Sequence, residues 1–205
     1  MSLRVCCAAL ILVAGQISAG SAVVMAQPAS PDVASAIRPD SAPGWTPTES
    51  QKQNALKAAS EYFSKIDEAR YNDAYAMMSD TNRRYVSAEQ FVRNNQQFHS
   101  RSGSLQQRRF IKITWGKDPA AAPVRGIYAA VDVASRYANV DRHCGFVILY
   151  QKSADDGFEV MRQESNFIDN TMAEKIEKQK SRAELDRIWA QLAANCPNYN
   201  LPNNG

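Results

Sequence analysis

The feature that most constrains this chain is a change of hydrophobic period near its middle. Up to about residue 99 apolar residues recur every three or four positions, the spacing of one helix face. From about residue 109 to 167 they alternate, the spacing of a strand with two unlike faces. Ala55, Ala59, Tyr62, Phe63 and Ile66 predict a helix over about 47–67, with Thr46 as cap, Pro47 in the first position and Glu49 completing a capping box. Tyr71, Ala74, Tyr75 and Met78 predict a second, short helix over 70–79. Ser87, answered by Gln90 and followed by Phe91, opens a third over 88–99. Residues 100–106 read as a loop.

Four strands are predicted next. The first spans about 109–115, the second 127–137, the third 142–151 and the fourth 158–167. Ala154-Asp155-Asp156-Gly157 is a hairpin signal between the last two. Short turns between consecutive strands imply an antiparallel meander. The fourth strand is expected to carry Phe158, Val160, Arg162 and Glu164 on one face, where Arg162 and Glu164 suit a cross-strand ion pair. Residues 171–195 return to helical composition, with Leu185, Ile188, Trp189 and Leu192 as an apolar stripe. The expected fold class is therefore α+β: N-terminal helices packed in a curved four-stranded antiparallel sheet, plus a C-terminal helix.

The first 26 residues differ from the rest. Arg4 precedes an uncharged run from Val5 to Val13, and Val24-Met25-Ala26 offers a small residue at a cleavage position. This is the layout of a secretory signal peptide, cleaved near Ala26, and the run is shorter than the ~20 residues of a membrane-spanning helix. An uncleaved anchor is the alternative. Cys6 and Cys7 lie at the start of this run rather than after it, which argues against lipid attachment. Residues 27–46 are rich in Pro, Ser and Ala and are expected to form a linker. The domain organisation is thus 1–26 leader, 27–46 linker, 47–170 α+β domain, and 171–205 C-terminal helix with a polar tail. The location implied is periplasmic or secreted, with no stable membrane insertion after cleavage.

Cys144 and Cys196 remain after the leader. In an oxidising compartment an even count favours a disulfide between them, worth about 4 kcal/mol in the chain-entropy picture; two free thiols are the alternative. Lys+Arg 24 against Asp+Glu 21 gives +3, too weak a bias for nucleic acid. His99 and His143 are the only histidines, and neither has a second ligand at metal spacing, so no metal and no cofactor is expected. No phosphate loop, nucleophile elbow or dinucleotide fingerprint is present. His99 suits a helix C-terminus, His143 a polar strand-end contact near Asp141. Arg101, Arg108 and Arg109 form a basic cluster that suits a solvated loop, with anion binding as the alternative.

Asp132 is the acidic residue of most interest. Its parity places it with Tyr128, Ala130 and Ala134, opposite Ile127, Val131 and Val133. Tyr128 and Asp132 are the pocket candidates: a carboxyl in an apolar hollow has a raised pKa and can act as a general base. The same face can equally be the wet side of the sheet.

Three stretches carry a resemblance. Arg101 to Arg108 read R-x-G-x-L-x-x-R, Gly126-Ile127-Tyr128 opens the second strand, and Asp156 to Glu164 closes the hairpin and carries the last strand. Across about 52–168 these are similar to a secreted bacterial family, domain of unknown function 4019. Phe158 stands where that family often has Trp. The resemblance implies an exported location. The order of elements is similar to cystatin-like, nuclear-transport-factor-two-like cones, which hold a pocket at the wide end. Three functions follow as expectations. The first is a non-enzymatic exported module that binds a small molecule or an envelope protein. The second is an isomerase or cyclase with Asp132 as base and Tyr128 as hydrogen-bond donor. The third is a structural protomer that forms a homodimer.

Overall fold

The structure, a computed structural model, describes residues 33–193. The leader, the first part of the expected linker and the polar tail with Cys196 lie outside these residues. The order of elements is β1 (Ala34–Ile37), α1 (Glu49–Asp67), α2 (Tyr71–Ala76), α3 (Asp80–Arg83), α4 (Ala88–Ser102), β2 (Leu105–Lys117), β3 (Ile127–Tyr137), β4 (Val140–Gln151), β5 (Glu159–Asp169), α5 (Asn170–Gln179) and α6 (Arg182–Leu192). The mixed α+β character matches the expectation; the element count does not.

The sheet has five strands in the order β1-β2-β3-β4-β5. β2 to β5 form the antiparallel meander. The fifth strand, β1, corrects the linker expectation: Ala34 to Ile37 pair parallel with Lys112 to Trp115. Its side chains are mostly exposed, so the strand rests on backbone pairing and leaves little hydrophobic period in the sequence.

The helix starts follow capping chemistry. Ser87 caps α4 as expected, its hydroxyl accepting from the Gln90 N–H. For α1 the cap is Thr48, two residues later than Thr46. The Gln51 N–H donates to Thr48 Oγ1, and the Gln51 side chain accepts from the Thr48 N–H. Gln51 also donates to the side chain of Gln151 at 3.0 Å, which ties the cap to the buried end of β4. The helix expected over 70–79 is α2, which ends at Ala76, and a separate short helix α3 follows from Asp80. Between them Met77 accepts from the Val160 N–H at 2.8 Å, and the Ser79 N–H donates to Val160 at 2.9 Å. The chain gives up helix there to satisfy the edge of β5. The loop expected at 100–106 is instead the end of α4 and the start of β2. Gly103, at φ +68°, makes the turn.

Two of the four register shifts in the sheet bear on which side chains share a face. β2 shifts register between Phe110 and Lys112, and β5 shifts between Val160 and Arg162. Met161 is the extra residue in β5, so Val160 faces the helices while Arg162 and Glu164 face the other way. This corrects the expectation of one shared face. Arg162 and Glu164 do pair, along the strand rather than across it.

The main core lies between α1, α2, α4 and one face of the sheet. Trp115, Tyr62, Leu149, Val131, Val147 and Val160 are fully buried in it. Burying side chains of this size contributes about 1.5–3 kcal/mol each. The opposite face carries a smaller cluster of Ile168, Ala173 and Leu185, flanked by Ile176, Ile188 and Trp189. Here the expected single C-terminal helix is a hairpin. Asp169 caps α5, Ser181 caps α6, and the helix breaks between them. Arg142 of β4 pairs with Asp186 of α6 at 2.9 Å, holding the hairpin on the sheet. No helix among the described residues is long and apolar enough to cross a membrane.

Candidate functional site

A cavity of about 480 Å3 opens between the helices and the inner face of β2–β5. Such a volume is within the range of small-molecule sites, roughly 300–1,000 Å3. Its walls come from distant parts of the chain: Tyr62 and Phe63 of α1, Phe98 of α4, Tyr137 of β3, His143 of β4 and Phe167 of β5.

The aromatic groups are interlocked. Phe98 meets Phe167 edge to face at 5.1 Å and Tyr137 at 5.2 Å. Tyr137 in turn meets His143 at 5.4 Å. Edge-to-face packing of this kind orients rings as well as burying them. His143 is 6% exposed, and its Nδ1 has no hydrogen-bond partner among the described residues. Burial pushes its pKa down to about 3, with Arg108 acting in the same direction. The imidazole is therefore neutral at physiological pH.

Arg108 closes the inner end. Its side chain is 10% exposed and that of Asp67 is 22% exposed. The guanidinium donates to both oxygens of Asp67, to Tyr137 Oη at 2.7 Å and to Ser135 Oγ at 3.1 Å. Its carbon also lies 4.5 Å from the centre of the Phe63 ring, a cation–π contact. Burial raises the pKa of Asp67, against the pull of Arg108. The remaining polar lining is uncharged or paired. Tyr62 donates to Gln163 Oε1 at 2.7 Å, and burial pushes the Tyr62 pKa up. Asn95 donates to the Phe91 carbonyl at 2.9 Å.

The residues singled out from sequence fall elsewhere. Tyr128 and Asp132 stand on the opposite face of β3, as their parity predicts, and neither lines this cavity. The Tyr128 hydroxyl donates to the Val124 carbonyl at 2.6 Å, and its ring packs on Tyr150 at 5.2 Å. Asp132 is 8% exposed, with Lys112 and Phe146 as its register neighbours. Its Oδ2 is buried without a partner among the described residues, and burial raises its pKa to about 6 against the pull of Lys112. The structure thus has a perturbed carboxyl, but the tyrosine hydroxyl expected to act with it is committed to a backbone carbonyl. Cys144 is fully buried on that same face, and its expected partner Cys196 lies outside the described residues.

Of the basic cluster, Arg108 is no loop residue but an anchor of the cavity. Arg101 lies at the end of α4, where it pairs with Asp169 at 2.7 Å, and Arg109 is exposed. His99 lies near the C-terminal end of α4, as expected, with its Nδ1 3.3 Å from the Tyr71 hydroxyl. His143 departs from its expectation: it faces Tyr137 and Phe98. Sequence reasoning missed Asp67, Phe98, Tyr137 and Phe167 because two of them come from helices and two from strands, and only tertiary packing brings them together. The signal available was a run of polar and aromatic residues, Asn94, Asn95 and Phe98, down one side of α4. No group of three or more His, Cys, Asp or Glu is placed to hold a metal among the described residues.

No curated protein and no solved structure matches the chain. A family model described as "Protein of unknown function (DUF4019)" matches residues 58–162. That span runs from the middle of α1 into β5 and takes in the cavity wall from Tyr62 to Arg162, about half of the chain. The chain belongs to the DUF4019 family.

Proposed function

We propose that this protein is an exported, non-enzymatic binding module, built as a cystatin-like cone, whose inner cavity takes up a small molecule. The observation that carries the reading is the cavity itself: about 480 Å3 behind a wall of ordered aromatic rings. Cores close such spaces with side chains, because voids cost stability. Here the space is kept open by an aromatic frame and a buried ion pair. The leader-like first 26 residues support export to the periplasm or beyond. An oxidising destination in turn supports a bridge between Cys144 and Cys196.

The test is native mass spectrometry of the protein purified from its own exported fraction. A small molecule should leave the protein on unfolding and be absent from Asn94→Trp, which fills the exposed mouth of the cavity. An identical yield of that molecule from Asn94→Trp would refute the reading.

A further inference from the structure

We propose that the cavity selects an uncharged, ring-bearing molecule with a neutral hydrogen-bonding group, and rejects ions built on the same ring. The inference rests on reading the cavity as a binding site, and deepens that reading by naming the chemical class.

Charge decides the first half. Arg108 is the one cationic side chain at the inner end of the cavity among the described residues, and four of its five N–H donors are already used. It meets Asp67 in a two-point pair, Tyr137 and Ser135, and its flat face covers Phe63. An incoming anion would have to displace a built-in carboxylate. A cation would find Asp67 equally committed. On β5, Arg162 and Glu164 point to the other face of the sheet and pair with each other. An ion entering this space would lose its hydration and gain no counter-charge, which is the costly way to bury a charge.

The uncommitted groups decide the second half. Gln163 accepts from Tyr62 through its oxygen, which leaves its two N–H donors without a partner among the described residues. Asn95 donates to Phe91 through its nitrogen, which leaves its oxygen as an acceptor. Asn94 lines the cavity with its whole amide uncommitted. These are neutral donors and acceptors set around the rings of Phe98, Tyr137 and Phe167. Ring faces and edges held in place at 5.1–5.2 Å from one another favour a flat partner by offset or edge-on packing. A few fixed polar groups in a mostly apolar hollow orient a ligand rather than attract it from afar.

Three probes sharing one ring system isolate charge: 2-naphthol, 2-naphthoate and 2-naphthylmethylammonium, titrated at pH 7 by calorimetry into the full-length exported protein. The expected result is a Kd for 2-naphthol at least tenfold below that of either ion. Naphthol binding should be lost in Asn94→Trp, whose fold is checked by circular dichroism. Binding of either ion as tightly as naphthol overturns the proposed selectivity while leaving the cavity a binding site. Undiminished naphthol binding by folded Asn94→Trp places the probe elsewhere and overturns the proposal. Failure of all three probes to bind overturns the reading of the cavity as a site for ring-bearing molecules.

Discussion

Replacing Asp132 by Asn should remove a specific pH dependence of stability. The carboxyl is buried in the middle of β3, one oxygen has no partner among the described residues, and Lys112 offsets the burial only in part. Its pKa rises from 3.8 to about 6, so the native state holds the proton more tightly than the unfolded chain does. The sign follows: stability from this group is present below the unfolded pKa and is lost as pH rises through about 6. Each factor of ten in proton affinity is worth ~1.4 kcal/mol, so the loss is about 3 kcal/mol. Asn has the same shape and cannot ionise. Urea unfolding of both proteins from pH 4 to 8 gives the difference in stability at each pH, and titrations common to the two cancel. The variant should gain about 3 kcal/mol relative to the parent between pH 4 and 7, then run level. Lys112→Gln should push the transition to higher pH. A difference that is flat across the range, or one that falls, would show that the carboxyl is hydrated in solution and refute the reasoning.

Arg108→Met should cost about 3–5 kcal/mol, because it strands Asp67 in a mostly buried site. The double variant with Asp67→Leu should recover part of that loss in urea unfolding, whereas a cost of under 1 kcal/mol would mean the pair behaves as an exposed one. Peptide mapping without reductant should recover Cys144 and Cys196 in one linked fragment, and reduction should lower stability by about 4 kcal/mol; full alkylation of both thiols in the unreduced, unfolded protein would exclude the bridge.

The parts of this fold that were legible in the sequence are those in which side-chain period and burial coincide. β3 runs from Ile127 to Tyr137, as its alternation predicts, because Val131 and Val133 enter the core while Asp132 does not. Ser87 marks the start of α4 because a hydroxyl there satisfies a backbone N–H that nothing else reaches. β1 was hidden because edge pairing needs only backbone groups, and its side chains have no core to meet. The two-part C-terminal hairpin was hidden because Ser181 is a polar residue within a polar stretch, with Leu185 the one fully buried anchor after it among the described residues. The site was hidden for a different reason. Period-2 reasoning treats a strand as regular, and the bulges in β2 and β5 invert the faces partway along. Arg108 therefore reads as a loop residue and Gln163 as an unremarkable neighbour of an ion pair, although both border the cavity.

The two faces of the sheet divide the chemistry, and the division bears on where function is to be sought. The outer face is sealed at one end by α5 and α6, which follow the family-matched span. Asp132 and Cys144 stand on that face, and both are buried. The inner face is different. Its cavity is framed by helices and strands that fall largely within the matched span, and the buried cation Arg108 is neutralised by a carboxylate from α1. Strongly shifted pKa values usually direct attention to an active centre. In this protein they fall on both faces, Asp132 on the outer one and His143 on the inner one, where the imidazole sits among the rings of a hollow with the size of a binding site.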